Sequence, residues 1–308
     1  MNFTAKDVAE LRAKTGCGMM DCKKALTDAE GNMEKATEIL REKGLAASIK
    51  KAGRIAAEGI AYSMVSEDGK VGVVIEVNAE TDFVAKNVSF QEFVATCAKT
   101  VIAQNPADVD ALLACTGEGS TETIDALLKD RILVIGENMK VRRFIRLEGH
   151  CVSYIHGGGR IGVLVKIEAD DSVANTAEFK ECGEDVAMQI AALNPLYLQE
   201  SDVPAEDIEK EREILLSQIQ NDPKNANKPA NIIDKMIDGR IRKFYEQNCL
   251  LNQAFVKDGE LSVAKYVDSV ATKLGGSMKV VQFVRFEKGE GLEKREDNFA
   301  DEVASMMK

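Results

Sequence analysis

The stretch Gly69-Lys70-Val71-Gly72-Val73-Val74-Ile75 returns ninety positions later as Gly159-Arg160-Ile161-Gly162-Val163-Leu164-Val165. Each stretch places glycine before a run of β-branched residues, which is typical of a strand that leaves a tight turn. Upstream, Glu58-Gly59 corresponds to Glu148-Gly149 with the same spacing. The chain therefore contains an internal repeat that begins with two strands.

The repeat continues through a helix and a closing strand. Phe90-Gln91-Glu92 corresponds to Phe179-Lys180-Glu181 with a slip of one residue, and Met139–Glu148 corresponds to Met278–Glu287. Each copy predicts the order strand, strand, helix, helix, strand, which places the chain in the α+β class. We expect two pseudo-repeated subdomains, each with an antiparallel sheet covered by helices. Their predicted bounds are 58–147 for the first and 148–203 with 258–291 for the second.

The second copy contains an insertion at residues 204–257. Apolar residues recur at helical spacing from Ile208 to Ile219 and again from Ile232 to Phe244, and a polar turn around 221–229 separates the two runs. We expect an antiparallel helical hairpin whose arms bury their apolar stripes against each other.

The first 45 residues predict a small module of three helices, followed by a basic linker at 46–57. Thr4 is a capping residue for a helix that ends at Thr15, Met19 to Ala29 forms the second helix, and the third runs from Asn32 or Met33 to Lys43. Glycines stand at the expected helix ends, Gly44 among them. A further helical module is expected at 292–308.

Composition limits the classes of function. The chain has 308 residues, a formal net charge of −11 and no Trp, so it lacks the overall basic charge and the stacking rings typical of nucleic-acid binding. The N-terminus has no apolar signal segment, and no apolar run is long enough for a membrane span. We expect a cytoplasmic protein that contacts neither nucleic acid nor membrane.

The cysteines and histidines give no catalytic or metal motif. None of the 7 cysteines forms a CxxC pair, so we expect buried, reduced thiols and no metal. Cys151 lies near both histidines, His150 and His156, but sequence neighbours in a strand point to opposite faces. Residues 157–162 satisfy the GxGxxG pattern, yet they precede a strand, which predicts a hairpin turn rather than a nucleotide-binding loop. We assign no catalytic residue and no cofactor.

The connection Glu80-Thr81-Asp82-Phe83-Val84-Ala85-Lys86-Asn87 is the most informative segment for function. An aromatic ring beside an acid is unusual in a connection, because burying the ring would strain the adjacent charge. The second copy has Asp170-Asp171-Ser172-Val173-Ala174 there and lacks the Asp-Phe pair. One interpretation is that Asp82 or Phe83 points at a partner. The equal alternative is that Phe83 packs on its own helix while Asp82 caps that helix.

His156 lies in the turn region where the first copy has Ser66. From the residues alone, a solvated loop histidine is the favoured interpretation, because loops carry function only in some cases.

These segments resemble the elongation factor Ts family. Gly16–Leu26 is similar to its N-terminal signature and Thr81–Asn87 to its second signature, and the likeness runs through His156–Val163 to Arg285–Gly291. The resemblance covers essentially the whole chain, and the insertion is similar to the long bacterial form.

The resemblance implies fold, partner and site. It implies that the first module is UBA-like (ubiquitin-associated), that the insertion is a coiled coil, and that the protein is a nucleotide exchange factor for the GTPase elongation factor Tu. Self-association through the hairpin is a further expectation. By resemblance, Asp82 and Phe83 enter the GTPase near its magnesium and phosphate site, Thr81 and Val84 frame them, and His156 forms a second wedge. The implied contacts of the first module are Met19, Met20 and Lys23.

Two other functions stay open on the residues. An adaptor or chaperone would use the first module and the hairpin to bind peptides, without altering nucleotide release. A metal- or thiol-dependent enzyme would need ligand or nucleophile spacing that the sequence does not supply.

Overall fold

The computed structural model describes residues 3–222 and 228–293. Its N-terminal unit is formed by α1 (Ala5–Thr15), α2 (Met19–Asp28) and α3 (Met33–Lys51). Thr4 begins α1 as predicted, because its hydroxyl accepts from the Asp7 amide at 3.4 Å and its own amide donates to the Asp7 carboxylate at 2.6 Å. The unit has its own apolar core, which includes Leu11, Cys22, Leu26, Ala36 and Leu40.

The predicted end of α3 at Lys43 is wrong, because the helix continues through Gly44 to Lys51. A Cβ added at Gly44 would lie 3.3 Å from the carbonyl oxygen of Lys129 in the core. Glycine is therefore used here for the close approach of two helices rather than as a helix stop. The first half of the predicted linker is helical as a result.

The first copy of the repeat forms a three-stranded antiparallel sheet in the order β1-β2-β3, covered on one face by helices. Its elements are β1 (Glu58–Val65), β2 (Val71–Ala79), α4 (Asp82–Ala85), α5 (Val88–Gln104), α6 (Val109–Ala114), α7 (Ile124–Ile135) and β3 (Met139–Glu148). The predicted order is confirmed, with the short helices α4 and α6 added.

The second copy forms the matching antiparallel sheet, β4-β5-β8. Its elements are β4 (Cys151–His156), β5 (Ile161–Ala169), α8 (Asp171–Ala174), α9 (Ala177–Leu193), α10 (Ala205–Asn221), α11 (Ala230–Asn248), β6 (Ala254–Phe255), β7 (Asp258–Ser262), α12 (Val263–Leu274) and β8 (Met278–Glu287). The likeness extends to the irregularities, because β2 shifts register after Glu76 and β5 shifts at the corresponding Lys166. The α+β class is confirmed.

The insertion forms two helices, α10 and α11, that pack on each other through Leu215, Ile219, Ile237 and Ile241. Part of the predicted polar turn, residues 223–227, lies outside the described residues. The predicted C-terminal module at 292–308 lies outside them from residue 294 on. The small sheet β6-β7 next to α11 was not predicted.

The two sheets pack back to back, an arrangement that the sequence did not predict. Ala61, Val74, Cys151, Leu164 and Phe286 form the core between them. Strands β2 and β5 are therefore buried on both faces, one against helices and one against the other sheet. A Cβ at Gly72 would lie 2.4 Å from the Leu164 side chain, so the repeated glycine permits this approach.

No helix among the described residues is long and apolar enough to cross a bilayer.

Candidate functional site

The segment after β2 is a single helical turn, α4, rather than an open connection. Val84 points inward and is buried in the first-copy core. Phe83 points outward, and 77% of its surface is exposed. Soluble proteins rarely leave so much of an aromatic ring in water without a use for it.

The alternative in which Phe83 packs on its own helix and Asp82 caps it is wrong. Asn87 caps α5, because its Oδ1 accepts from the Ser89 amide at 2.9 Å. The Asp82 carboxylate instead lies 3.3 Å from Lys86 Nζ, in an exposed pair one helical turn apart. Lys86 Nζ also lies 5.8 Å from the centre of the Phe83 ring, so the acid and the ring are both exposed and share one exposed cation.

The base of this turn is fixed by hydrogen bonds. The Thr81 amide and hydroxyl donate to the Glu137 carboxylate at 2.9 and 2.7 Å. Gln91 Nε2 in α5 donates to the Ala85 carbonyl at 3.0 Å. Together with the buried Val84, these bonds fix the conformation of the turn that carries Phe83.

His156 is the last residue of β4 and is exposed, with Nδ1 3.1 Å from the Tyr154 hydroxyl. The next three residues, Gly157–Gly159, all have positive φ, and they connect β4 to the antiparallel β5. The predicted hairpin turn is confirmed, and the dinucleotide-loop interpretation fails, because a strand rather than a helix follows the glycines.

A cleft of about 210 Å³ lies between α5 and this hairpin turn. Gln91 lines the cleft and also holds the Ala85 carbonyl of α4, while Ile155 and Gly158 line it next to His156. The Phe83 turn and the His156 turn therefore border one surface, here called the first cleft. Its lining residues are Ile60, Tyr62, Gln91, Val94, Ile155, Gly158 and Gly159.

A second cleft of about 450 Å³ lies at the equivalent place in the other copy, between α9 and the β1–β2 turn. It includes Ser66, Asp68, His150, Val152, Phe179 and Lys180 in its lining. Asp171, next to it in α8, lies 3.4 Å from Lys70 Nζ and 3.2 Å from His150 Nε2. Ser172 and Ser66 occupy the places of Phe83 and His156. Phe83 and His156 thus lie on the two turns that border the first cleft, although neither residue lines it.

Met19, Met20 and Lys23 lie on the exposed side of α2, opposite the buried Cys22. Met19 is 54% and Met20 73% exposed. The structure groups these three residues on the N-terminal unit, apart from the elements that form the first cleft.

Cys151 and His150 do not form a nucleophile pair. The Cys151 thiol contacts the Leu147 carbonyl between the sheets, and burial raises its pKa to about 11. His150 faces the other way, edge-on to Phe179. Six of the seven cysteines are buried as predicted, whereas Cys115 is only half-buried. The described residues contain no cluster of His, Cys, Asp and Glu suited to a metal ion.

Sequence reasoning missed two residues of the site, Gln91 and Glu137. Both act on the Phe83 turn from elsewhere in the fold. The repeat carried a signal for Gln91, since its counterpart is the chemically different Lys180.

An exposed aromatic residue on a fixed turn, beside an apolar cleft, is the kind of surface with which one protein binds another. The fold and the site define an α+β protein with two repeated antiparallel sheets and an exposed aromatic turn of the kind found in partner-binding proteins.

Comparison with known proteins identifies the family. The family model described as Elongation factor TS matches residues 80–290. The chain is 52% identical to elongation factor Ts of Clostridium perfringens over 307 residues, which cover 99% of each chain. It is 49% identical to elongation factor Ts of Clostridioides difficile over 311 residues, covering 100% of this chain and 99% of the relative. The chain belongs to the elongation factor Ts family, whose role is in translation elongation.

Proposed function

We propose that this protein is a guanine nucleotide exchange factor for the GTPase elongation factor Tu and promotes GDP release by disturbing its magnesium and phosphate site. Family membership supports the partner. The observation that carries the mechanism is Phe83, 77% exposed beside Asp82 on a fixed turn. At the same place the second copy has Ser172, so the scaffold does not need the ring.

Asp82 and Phe83 supply the two disturbances that the proposal needs. In a GTPase, the bound nucleoside diphosphate is held by Mg²⁺ and by the backbone amides of a phosphate-binding loop. A carboxylate entering beside the phosphates repels them and competes for the metal, while a ring wedged beside the loop displaces its backbone. The exposed pair of Asp82 with Lys86 is weak and is readily exchanged for partner contacts. Thr81 and Val84 frame the two residues by fixing the base of the turn.

Reciprocity completes the cycle. A factor that weakens nucleotide binding is itself bound less tightly when nucleotide is present. Incoming GTP therefore expels the factor, and no catalytic residue or cofactor of this chain is required.

Two further surfaces are proposed to bind the same GTPase. His156, on its short hairpin, acts as a second wedge at the far side of the first cleft. Met19 and Met20 offer flexible apolar contacts and Lys23 a positive charge, a combination suited to a helix surface of the partner.

The finer domain assignments follow from the same resemblance. We propose that the three-helix unit is UBA-like and that the α10–α11 hairpin is a coiled coil. The hairpin leaves Ile214 52% exposed, which favours self-association through this element. We expect a cytoplasmic protein without direct nucleic-acid contacts.

The test is stopped-flow release of a fluorescent GDP from elongation factor Tu of the same organism. We expect the protein to accelerate release by orders of magnitude, and the double variant Asp82→Ala/Phe83→Ala to lose most of that acceleration while keeping its circular dichroism spectrum. Ser172→Ala, at the equivalent place in the second copy, is the matched control. Binding to the GTPase without faster GDP release would refute the proposal and favour the adaptor alternative.

A further inference from the structure

The connection that precedes Phe83 is longer than its counterpart in the second copy. Glu80 and Thr81 connect β2 to α4, whereas Asp170 alone connects β5 to α8. This extra residue accounts for the slip of one position in the sequence repeat. A longer connection has more conformational freedom to lose, so additional bonds are needed to hold it in one conformation.

Both residues of the longer connection are bound by the turn between α7 and β3. The Glu137 carboxylate accepts two hydrogen bonds from Thr81, one from its amide at 2.9 Å and one from its hydroxyl at 2.7 Å. The next residue, Asn138, donates its amide to the Glu80 carboxylate at 2.5 Å. Hydrogen bonds to a carboxylate are stronger than bonds between neutral groups.

The turn that supplies these bonds is itself fixed. Gly136 ends α7 in the left-handed region, with its amide bound to the Ile132 carbonyl at 3.0 Å. Asn138 is 2% exposed and donates its side-chain amide to the Arg54 carbonyl at 2.8 Å. Glu137 therefore extends from a rigid base.

The second copy has a weaker form of this arrangement, because Ser277 Oγ donates to the Asp170 carboxylate at 3.4 Å and no carboxylate stands at the place of Glu137. Gly276 and Ser277 precede β8 where Glu137 and Asn138 precede β3. A Cβ at Gly276 would lie 2.4 Å from Val173 Cγ2, which leaves no space for a longer side chain. The carboxylate is present in the copy that carries Phe83.

We propose that Glu137 is a positioning residue for nucleotide exchange, and that it sets the direction in which Phe83 leaves the core by holding Thr81. The inference rests on the proposed exchange function. Thr81 is the N-cap of α4, so fixing its backbone fixes the helical turn and the ring that follows it. A turn held in one conformation keeps the ring in the direction that GDP release needs after the complex has formed, so loss of the hold lowers the maximal rate of release.

The first experiment compares the wild type, Glu137→Ala and the second-copy control Ser277→Ala. The rate of fluorescent GDP release from elongation factor Tu is measured over a range of factor concentrations. We expect Glu137→Ala to lower the maximal rate roughly ten-fold, at the low end of the effect of one lost hydrogen bond to a charged group, because water replaces part of the hold on Thr81. The half-saturating concentration should stay within about two-fold, because the other contact surfaces are intact. A fall in the folded fraction would instead raise that concentration and leave the maximal rate unchanged.

Two further variants show whether Glu137 acts through Phe83. Glu137→Gln keeps one acceptor oxygen and should restore part of the maximal rate. In the Phe83→Ala background, Glu137→Ala should have no further effect, because two residues that act as a unit are not additive.

Hydrogen–deuterium exchange tests the hold on the turn without the GTPase. In Glu137→Ala the Thr81 amide should exchange about ten-fold faster, while the Val173 amide in the second copy is unchanged. An unaltered Thr81 amide, an unaltered maximal rate, or additive effects with Phe83→Ala would each overturn the inference. If the wild-type protein does not accelerate GDP release from elongation factor Tu, the proposed function is refuted. The exchange rate of the Thr81 amide would then show separately whether Glu137 holds the turn.

Discussion

The first cleft and the second cleft have equivalent backbones and different chemistry. Ile60 lies in the first where His150 lies in the second. The short helix next to the first cleft carries Phe83, and the short helix next to the second carries Ser172 at the same place. The cores behind them correspond, down to a register shift after Glu76 in one strand and after Lys166 in the other. A repeated scaffold can therefore keep its packing in both copies while a few exposed substitutions give one copy a binding surface.

The exposed ring separates the two clefts further. Asp82 and Asp171 stand at equivalent places and are both ion-paired, Asp82 with Lys86 at 3.3 Å and Asp171 with Lys70 at 3.4 Å, so covering either one with a partner would require desolvating an ion pair. Beside the first cleft, covering Phe83 also removes an exposed ring from water, which contributes about 2 to 3 kcal/mol when burial is complete. We therefore expect association at the first cleft.

The largest effect is expected from the glycines at equivalent places in the two hairpin turns. Gly159→Ala would place a Cβ 2.7 Å from Ile60 Cγ2, at a φ of 95°. We expect it to lower the free energy of unfolding by about 3 kcal/mol, from overpacking and left-handed strain together. Gly69→Ala meets no atom within 4 Å and should cost about 1 kcal/mol from strain alone. Chemical denaturation measures both values, and equal losses would contradict the close contact at the first cleft.

Next in size is the loss of the aromatic ring. Phe83→Ala should reduce the acceleration of GDP release about thirty-fold, a typical loss for a central aromatic contact. Ser172→Ala should leave it unchanged. Stopped-flow measurement of GDP release with each variant tests this prediction. Equal effects of the two substitutions would mean that both clefts bind the partner.

A smaller effect is expected at the second wedge. His156→Ala removes a rim side chain whose contacts include the Tyr154 hydroxyl, and it should slow exchange about five-fold. Ser66→Ala is the equivalent change in the other copy. It removes a hydroxyl that accepts from the Val71 amide at 3.0 Å, so its effect should fall on stability rather than on exchange. An exchange rate unaltered by His156→Ala would remove that residue from the binding surface.

The smallest effect concerns the core between the sheets, where Cys151 corresponds to Ala61. Cys151→Ala should lower the free energy of unfolding at pH 7 by about 1 kcal/mol through the space it leaves. Burial raises the pKa of the Cys151 thiol from its ordinary value of 9.0 to about 11. The wild type therefore keeps the full contribution of the neutral thiol below pH 9 and loses it as pH rises towards 11.

The free-energy difference between wild type and Cys151→Ala should accordingly fall by about 1.4 kcal/mol for each pH unit above pH 9, so that it reaches zero before about pH 10 and has the opposite sign at higher pH. Urea denaturation at pH 7, 9 and 10.5 measures it. A difference that stays constant with pH would show that the thiol is not desolvated.

The sequence predicted those parts of the fold that local patterns encode. The internal repeat predicted both sheets, and Thr4 predicted the start of α1. The glycines after His156 predicted a hairpin turn. The predicted end of α3 next to Gly44 was wrong. Glycine is needed at this position because the backbone approaches the Lys129 carbonyl, which lies in a helix distant along the chain. The domain bounds stay predictions, since contacts such as this one cross them.

The candidate site was predicted in part. The absence of a Phe at this place in the second copy drew attention to Phe83. The exposure of the ring contradicts the alternative in which it packs on its own helix, and the role in partner binding stays a prediction. Glu137 was missed because its bonds reach Thr81 across 56 positions of sequence, a separation that no local pattern records. The back-to-back packing of the sheets was not predicted either, because it also depends on contacts between residues far apart in sequence, such as Gly72 and the Leu164 side chain.

The serine at position 172 has a consequence for valency. A chain built from two similar halves could in principle hold two copies of a ligand, one in each half. Because the second half has Ser172 where the first has the exposed Phe83, we expect the protein to behave as a monovalent ligand. A titration against its partner should end at one molecule of each, with none of the gain in avidity that two linked sites would provide.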